Sequence, residues 1–152
     1  MDEIEVREIG FADPRVQALV TEALTELGGR YGGSGDDTPV TLTDFDPPVG
    51  AFFAAVDGDA LVGCGGWRRH GTDAELKRMF TTPAARGRGV ARRLLATIEE
   101  SARAAGMKRV ILETGDKQPE AIGLYESAGY VRIPDFGYYK GAPGVLSFAL
   151  DL

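Results

Sequence analysis

The sequence holds one cysteine, Cys64, and one histidine, His70. A lone cysteine cannot close an intrachain disulfide, and nothing argues for an oxidising compartment, so the cytoplasm is the expected location. One histidine beside one cysteine cannot form a zinc cluster of recognised ligand spacing, so no metal is expected. Long apolar runs are missing too. No window approaches the roughly 18 apolar residues that a spanning helix needs, so no membrane partner is expected. Residues 1–14 alternate acidic and apolar side chains without a basic stretch followed by an apolar one, and nothing there reads as a signal or transit peptide. Positive charge is scarce as well. A net charge of −6 argues against nucleic acid as a partner, because such binding draws on many Lys and Arg contacts to phosphate.

What is present is enough apolar material for a core. With 152 residues, of which 43% are hydrophobic, the chain predicts one soluble globular domain over 1–152. The charge is unevenly placed. Residues 1–50 carry eleven acids against Arg7, Arg15 and Arg30, whereas residues 77–93 carry Lys77, Arg78, Arg86, Arg88, Arg92 and Arg93 with no acid. A basic island in an acidic chain suggests one small polyanionic ligand.

Ile4 and Val6 alternate with charged residues, the period of a half-buried strand. Asp13-Pro14 supplies an N-cap and a first-turn proline for a helix carrying Val16, Leu19, Val20, Ala23, Leu24 and Leu27, which Gly28-Gly29 is expected to stop. Residues 29–50 read as a long loop. A hairpin over Ala51–Val56 and Leu61–Arg69 is followed by a strand over Ala74–Thr81, giving three antiparallel strands. A helix then carries Val90, Leu94, Leu95, Ile98, Ala102 and Ala105 on one face and closes at Gly106. Arg109–Glu113 reads as a short apolar strand, Pro119–Ala128 as a helix, and Tyr130–Ile133 and Val145–Leu150 as final strands. The order implies a mixed sheet covered by helices, an α/β or α+β domain.

Arg86-Gly87-Arg88-Gly89-Val90-Ala91 joins a strand to a helix start. First-turn amides lack internal partners and the helix dipole favours negative charge, while glycine lets the backbone approach an anion closely. Read on its own, this is a phosphate-cradling turn. It lacks the Lys-Ser/Thr ending of a P-loop, and it follows a meander rather than the first strand of a βαβ unit, which sets aside a dinucleotide fold.

The stretch from Glu75-Leu76-Lys77-Arg78-Met79-Phe80 through Arg86-x-x-Gly89-x-Ala91 to Leu94-Leu95 resembles the central motif of the GCN5-related N-acetyltransferases. Ala121-x-x-Leu124-Tyr125-x-x-x-Gly129-Tyr130 resembles that family's second cofactor motif. The resemblance runs from Ile4 to Leu150. It implies a mostly antiparallel twisted sheet of about seven strands, splayed at the cofactor strand, and acetyl-CoA as acyl donor.

By the same resemblance, main chain around Met79, Phe80 and Thr81 would bond the pantetheine and stabilise an oxyanion. The turn of Arg86, Gly87, Arg88, Gly89, Val90 and Ala91 would take the pyrophosphate, and Gln118 would offer an amide. Tyr125 would be the general acid and Glu75 a base, acting directly or through water. Arg30, Tyr31 and the acidic loop 34–46 fall where the acceptor lid would lie. The implied activity is transfer of acetyl to a primary amine of a small molecule, amino acid or peptide, with a silent acyl-CoA sensor or a protein N-terminal acetyltransferase as the alternatives. A homodimer stays open. Cys64 and Trp67 read as packing residues and His70 as an exposed turn residue.

Overall fold

The computed structural model describes residues 3–152, so Met1 and Asp2 lie outside the description. The N-terminal alternation forms β1 (Ile4–Glu8), with Ile4 facing inward. Helix α1 (Pro14–Tyr31) starts where Asp13 accepts from the Arg15 amide at 2.9 Å, and it buries Val16, Leu19, Val20 and Ala23. It does not stop at Gly28-Gly29. The helix runs on to Tyr31 and ends at Gly32, whose φ is 80°. Gly28 serves a close approach instead: a Cβ there would lie 2.8 Å from the Gly33 carbonyl oxygen, where the chain folds back on the helix.

Strands β2 (Gly50–Asp57), β3 (Ala60–His70) and β4 (Asp73–Thr81) form the expected antiparallel meander. A 3-10 turn at Pro83–Ala85 leads to helix α2 (Val90–Ala104). This helix lays Val90, Leu94, Leu95, Ile98 and Ala102 on the sheet. Each large aliphatic side chain buried this way contributes about 1.5–3 kcal/mol. Strand β5 (Arg109–Gly115), helix α3 (Pro119–Ser127), β6 (Val131–Arg132) and β7 (Val145–Asp151) complete the chain. The final strand pair is shorter than expected on its β6 side. Among the described residues, no helix is long and apolar enough to cross a membrane.

The seven strands take the order β1-β2-β3-β4-β5-β7-β6. All neighbours are antiparallel except β4 and β5, which run parallel. That one parallel pair is brief. Only Ala74 with Val110 and Glu75 with Ile111 are in register, after which the two strands diverge. Strand β4 also bulges: pairing jumps from Gly66 with Lys77 to Cys64 with Phe80, and Arg78 between them has φ 61°. Cys64 is sealed beneath this bulge, where its Sγ donates to the Arg78 carbonyl at 3.3 Å and burial pushes its thiol up to about 12. Trp67 packs in the core, with Nε1 donating to Ser101 Oγ at 3.0 Å, and His70 is exposed against Phe136.

Residues 32–49 form neither helix nor strand, yet they are pinned. Phe45 packs between Phe11, tilted to it, and Phe52, edge-on to it, with ring centroids 4.7 and 5.2 Å away. Arg68 holds Asp44 at 2.9 Å.

Candidate active site

The divergence of β4 from β5 opens the sheet, and three hollows that share lining residues lie beside the opening. The largest is a cleft of about 430 Å³ lined by Met79, Phe80 and Thr81 of β4, by the turn from Arg86 to Arg92, and by Gln118, Leu124 and Tyr125. On the other side lies a hollow of about 270 Å³ between the end of α1, β5 and the 139–145 segment. A smaller hollow of about 90 Å³, called the passage below, shares Leu27, Asp36, Lys77, Glu113, Thr114 and Gln118 with the second hollow, and Met79, Gln118 and Tyr125 border both it and the cleft. Gln118 borders all three spaces.

The turn has the form expected of an anion cradle. Gly87 and Gly89 have φ of 82° and 77°, and a Cβ on either would meet nothing within 4 Å. Backbone conformation therefore demands these glycines, while the space above them stays open. Gly89 begins α2 without a side-chain cap, and the first turn contains no acid, so its dipole is uncompensated by protein charge. The arginines have other partners in this state. Arg86 donates through Nη2 to both oxygens of Glu26 at 2.7 and 2.9 Å and through Nε to the Thr81 carbonyl at 3.1 Å. Arg88 bonds Asp57 at 3.2 Å, and Arg92 bonds Ser127 Oγ at 2.6 Å.

Tyr125 sits on the inner face of α3, 6% exposed, with its ring 5.6 Å from that of Tyr130. Its hydroxyl makes no hydrogen bond among the described residues. Burial pushes its pKa above the usual phenol value, so the proton stays on oxygen throughout the ordinary pH range.

Glu75 is placed differently from what a freely accessible base would need. It is buried on β4 and its Oε1 accepts from Arg68 Nε at 2.9 Å, and it borders neither the cleft nor the adjoining hollows. Arg68 and Glu75 are direct cross-strand partners in the β3–β4 register. Arg30 and Tyr31 meet the connection between β5 and α3. Arg30 pairs with Glu120 and donates to the Lys117 carbonyl at 3.0 Å, while the Tyr31 hydroxyl accepts from the Lys117 amide at 3.0 Å and its ring borders the 270 Å³ hollow.

Of the acids of loop 34–46, Asp36 and Asp44 turn inward, whereas Asp37 and Asp46 are exposed. Asp36 accepts from Lys77 Nζ at 3.3 Å, Arg78 Nη1 at 2.5 Å and the Tyr139 hydroxyl at 2.8 Å. Burial alone would raise the Asp36 pKa, but the Lys77 charge and the bonds from Thr38 outweigh it and hold the carboxyl well below its ordinary value. Burial pulls Lys77 down from the usual ammonium value against the opposing pull of Asp36. Asp36 and Asp44 thus latch the loop to β3 and β4, while Asp37 and Asp46 stay at its surface.

Sequence reasoning missed one residue outright. Glu113, near the end of β5, borders both the 270 Å³ hollow and the passage. Its Oε2 accepts from the Tyr139 amide at 3.0 Å, whereas its Oε1 is buried without a hydrogen-bond partner. Burial raises its pKa above the ordinary carboxylate value.

Comparison with known proteins agrees with this architecture. The model of the acetyltransferase (GNAT) family matches residues 17–130. The chain is 37% identical over 139 residues to an IAA acetyltransferase of Azospirillum brasilense, covering 90% of each protein. A candidate acyl-CoA N-acyltransferase from Klebsiella pneumoniae superposes with a TM-score of 0.82 at 27% identity, over 99% of this chain and 98% of that one. A paia N-acetyltransferase from Thermoplasma acidophilum, solved in complex with coenzyme A, shares the fold with a TM-score of 0.75 at 14% identity, over 99% of each chain. With a splayed seven-stranded sheet, a glycine turn at the start of α2 and a family match over most of its length, the chain belongs to the GNAT acetyltransferases.

Proposed function

We propose that the protein is an acetyl-CoA-dependent N-acetyltransferase that passes acetyl directly to a primary amine. The observation that carries this reading is the position of Tyr125. Tyr125, whose hydroxyl makes no hydrogen bond among the described residues, borders both the cleft below the glycine turn and the 90 Å³ hollow beside it. Donor and acceptor would therefore meet at a proton donor.

The residues present fit such a donor. The open space above Gly87 and Gly89, together with the uncapped start of α2, would take the pyrophosphate. The side chains of Arg86, Arg88 and Arg92 stand around that turn. Main chain at Met79, Phe80 and Thr81, left without a β5 partner by the splay, would bond the pantetheine arm, and Gln118 would add its amide. When bound, acetyl-CoA supplies an activated thioester whose carbonyl accepts the amine. Tyr125 holds a proton ready for the departing sulfur, and burial keeps water from competing for it. Glu75 would act at one remove, fixing Arg68 and adding negative charge near Lys77 and Glu113. The likeness to an IAA acetyltransferase over nine-tenths of each chain supports a small-molecule acceptor. We place the enzyme in the cytoplasm and read residues 1–152 as one catalytic domain.

Two measurements on the whole chain test the reading. Calorimetric titration should show saturable acetyl-CoA binding, and a screen of primary amines should release free thiol in step with acetylated amine. Donor binding without thiol release from any amine would leave an acyl-CoA sensor.

A further inference from the structure

Two acids among the described residues line the cleft proposed for the donor, Glu26 near the end of α1 and Glu120 in the first turn of α3. A carboxylate beside a turn suited to pyrophosphate would repel it. Here each acid is covered by an arginine. Arg86 donates to both oxygens of Glu26, while Arg30 pairs with Glu120 and also donates to the Lys117 carbonyl at 3.0 Å. Arg86 lines the cleft beside Gly87 and Gly89, so a cation well placed for phosphate is held by a carboxylate instead.

Arg30 stands apart from the acceptor side. It borders none of the three hollows, whereas its neighbour Tyr31 borders the 270 Å³ hollow, where an acceptor would sit. Its surroundings are set by the helix. Glu26 and Arg30 are four residues apart on α1 with the acid on the N-terminal side, the spacing and order that favour an ion pair along one helix face. Arg30 thus has two carboxylates to choose between, Glu120 on α3 and Glu26 on its own helix.

A pyrophosphate would upset the present pairing. It carries more charge than a carboxylate and offers the Arg86 guanidinium several oxygens, so it would take Arg86 and leave Glu26 as a bare anion beside it. Glu120 bears the loss of its arginine more easily. Burial would raise its pKa, but its own backbone amide and then Arg30 hold it below the ordinary carboxylate value, and the amide stays when Arg30 leaves. The start of α3 also favours negative charge. The backbone can stay in place during such an exchange. The Tyr31 hydroxyl accepts from the Lys117 amide at 3.0 Å and lies so close over Gly115 that a Cβ there would come within 2.0 Å of it.

Resting on the acetyl-CoA reading, we infer that Arg30 is a positioning residue for the donor: when the pyrophosphate takes Arg86, Arg30 leaves Glu120 and neutralises the displaced Glu26. Two ion pairs that tie α1 to its neighbours become one donor contact and one pair within α1. Arg30 then serves the donor, not the acceptor lid in which the family resemblance set it.

The test uses the whole chain with coenzyme A, which binds without turnover. In a crystal structure of the complex, Arg30 should lie within about 4 Å of a Glu26 oxygen and farther than that from Glu120. Calorimetry should show the matching coupling. Arg30→Gln should weaken coenzyme A binding about threefold in the wild-type background, and clearly less in Glu26→Gln, where no carboxylate is displaced. Arg30→Lys keeps the charge and the helix spacing and should regain most of the affinity. Dephospho-coenzyme A, which keeps the pyrophosphate and lacks the ribose phosphate, should show the same coupling. Equal losses in the two backgrounds would mean that Arg30 only attracts the donor from a distance, and would overturn the exchange. So would an Arg30 still seated on Glu120 in the complex, or coupling that vanishes with dephospho-coenzyme A. Each of those results leaves the acetyl-CoA reading standing. No binding of coenzyme A to the wild-type chain would remove that reading and this inference together.

Discussion

The proposed donor cleft would hold its ligand mainly through main chain, whereas the proposed acceptor hollow draws its polar side chains from four separate segments. The cleft uses a strand edge freed by the splay, two glycines with positive φ and the uncapped first turn of α2. The hollow uses Asp36 from the loop after α1, Lys77 from β4, Glu113 from β5 and Tyr139 from the segment before β7. A backbone site tolerates side-chain drift but not a wrong conformer. A side-chain site depends on every partner being present.

By this contrast, the largest effect of substitution should fall on stability in the hollow. Asp36→Asn leaves Lys77 and Arg78 as buried cations without their shared anion, which should cost about 3 kcal/mol in urea unfolding at pH 7. The folded pKa of Asp36 lies below its unfolded value near 4. Its contribution is therefore complete above about pH 4 and fades as the pH falls further. The gap between wild type and Asp36→Asn should narrow in acid, and a gap that does not change with pH would mean that the ion pairs contribute nothing. Neutralising all the acids of loop 34–46 should thus report on stability before acceptor choice.

Where the two regions meet, Tyr125→Phe removes only a hydroxyl. A single-turnover rate about 100-fold lower with unchanged acetyl-CoA affinity is expected. A full rate would reduce the tyrosine to a packing residue and would assign the proton to water.

In the cleft, Gly89→Asp puts a carboxylate and an unsuitable φ where the backbone must meet an anion. Acetyl-CoA affinity should fall at least tenfold, about 1.4 kcal/mol, by calorimetry. Unchanged affinity would place the pyrophosphate elsewhere. The smallest effect is expected from Glu26→Gln. It frees Arg86 from a half-exposed pair, an interaction of about 0.2–1 kcal/mol, and should tighten donor binding up to about fivefold. Weaker binding would show that Glu26 orients Arg86 instead of competing for it.

The same contrast explains what could be read in the sequence. Strand alternation, the capped start of α1 and the apolar face of α2 carry local periods, and each formed as expected except at Ala105, which caps α2 and is exposed. The glycine turn was legible because a backbone site needs glycines at fixed spacing. Glu113 was not. In the sequence it only ends an apolar strand, and its character arises because Gly137 and Tyr139, more than twenty residues later, fold over it. The acids of loop 34–46 were visible as charges, but their partners on β3 and β4 were not. Glu75 was more tractable: the hairpin turn at His70–Asp73 puts Arg68 directly opposite it, so its ion pair could have been counted from the turn. The end of α1 was misplaced because Gly28 was read as a stop, when the neighbouring chain simply needs room there.

The sealed cysteine gives this protein a reporter of its own. Cys64 is the chain's only thiol, and it lies under the bulge of the strand that would carry the acyl donor. In the native state a disulfide reagent should count only the thiol released in catalysis, with almost no background from protein. The same reagent reaches Cys64 only when β3 and β4 part, so its slow labelling rate measures the opening of that seam. A donor laid along β4 should slow the labelling, which makes occupancy of the cleft readable without turnover and without any label added to the chain.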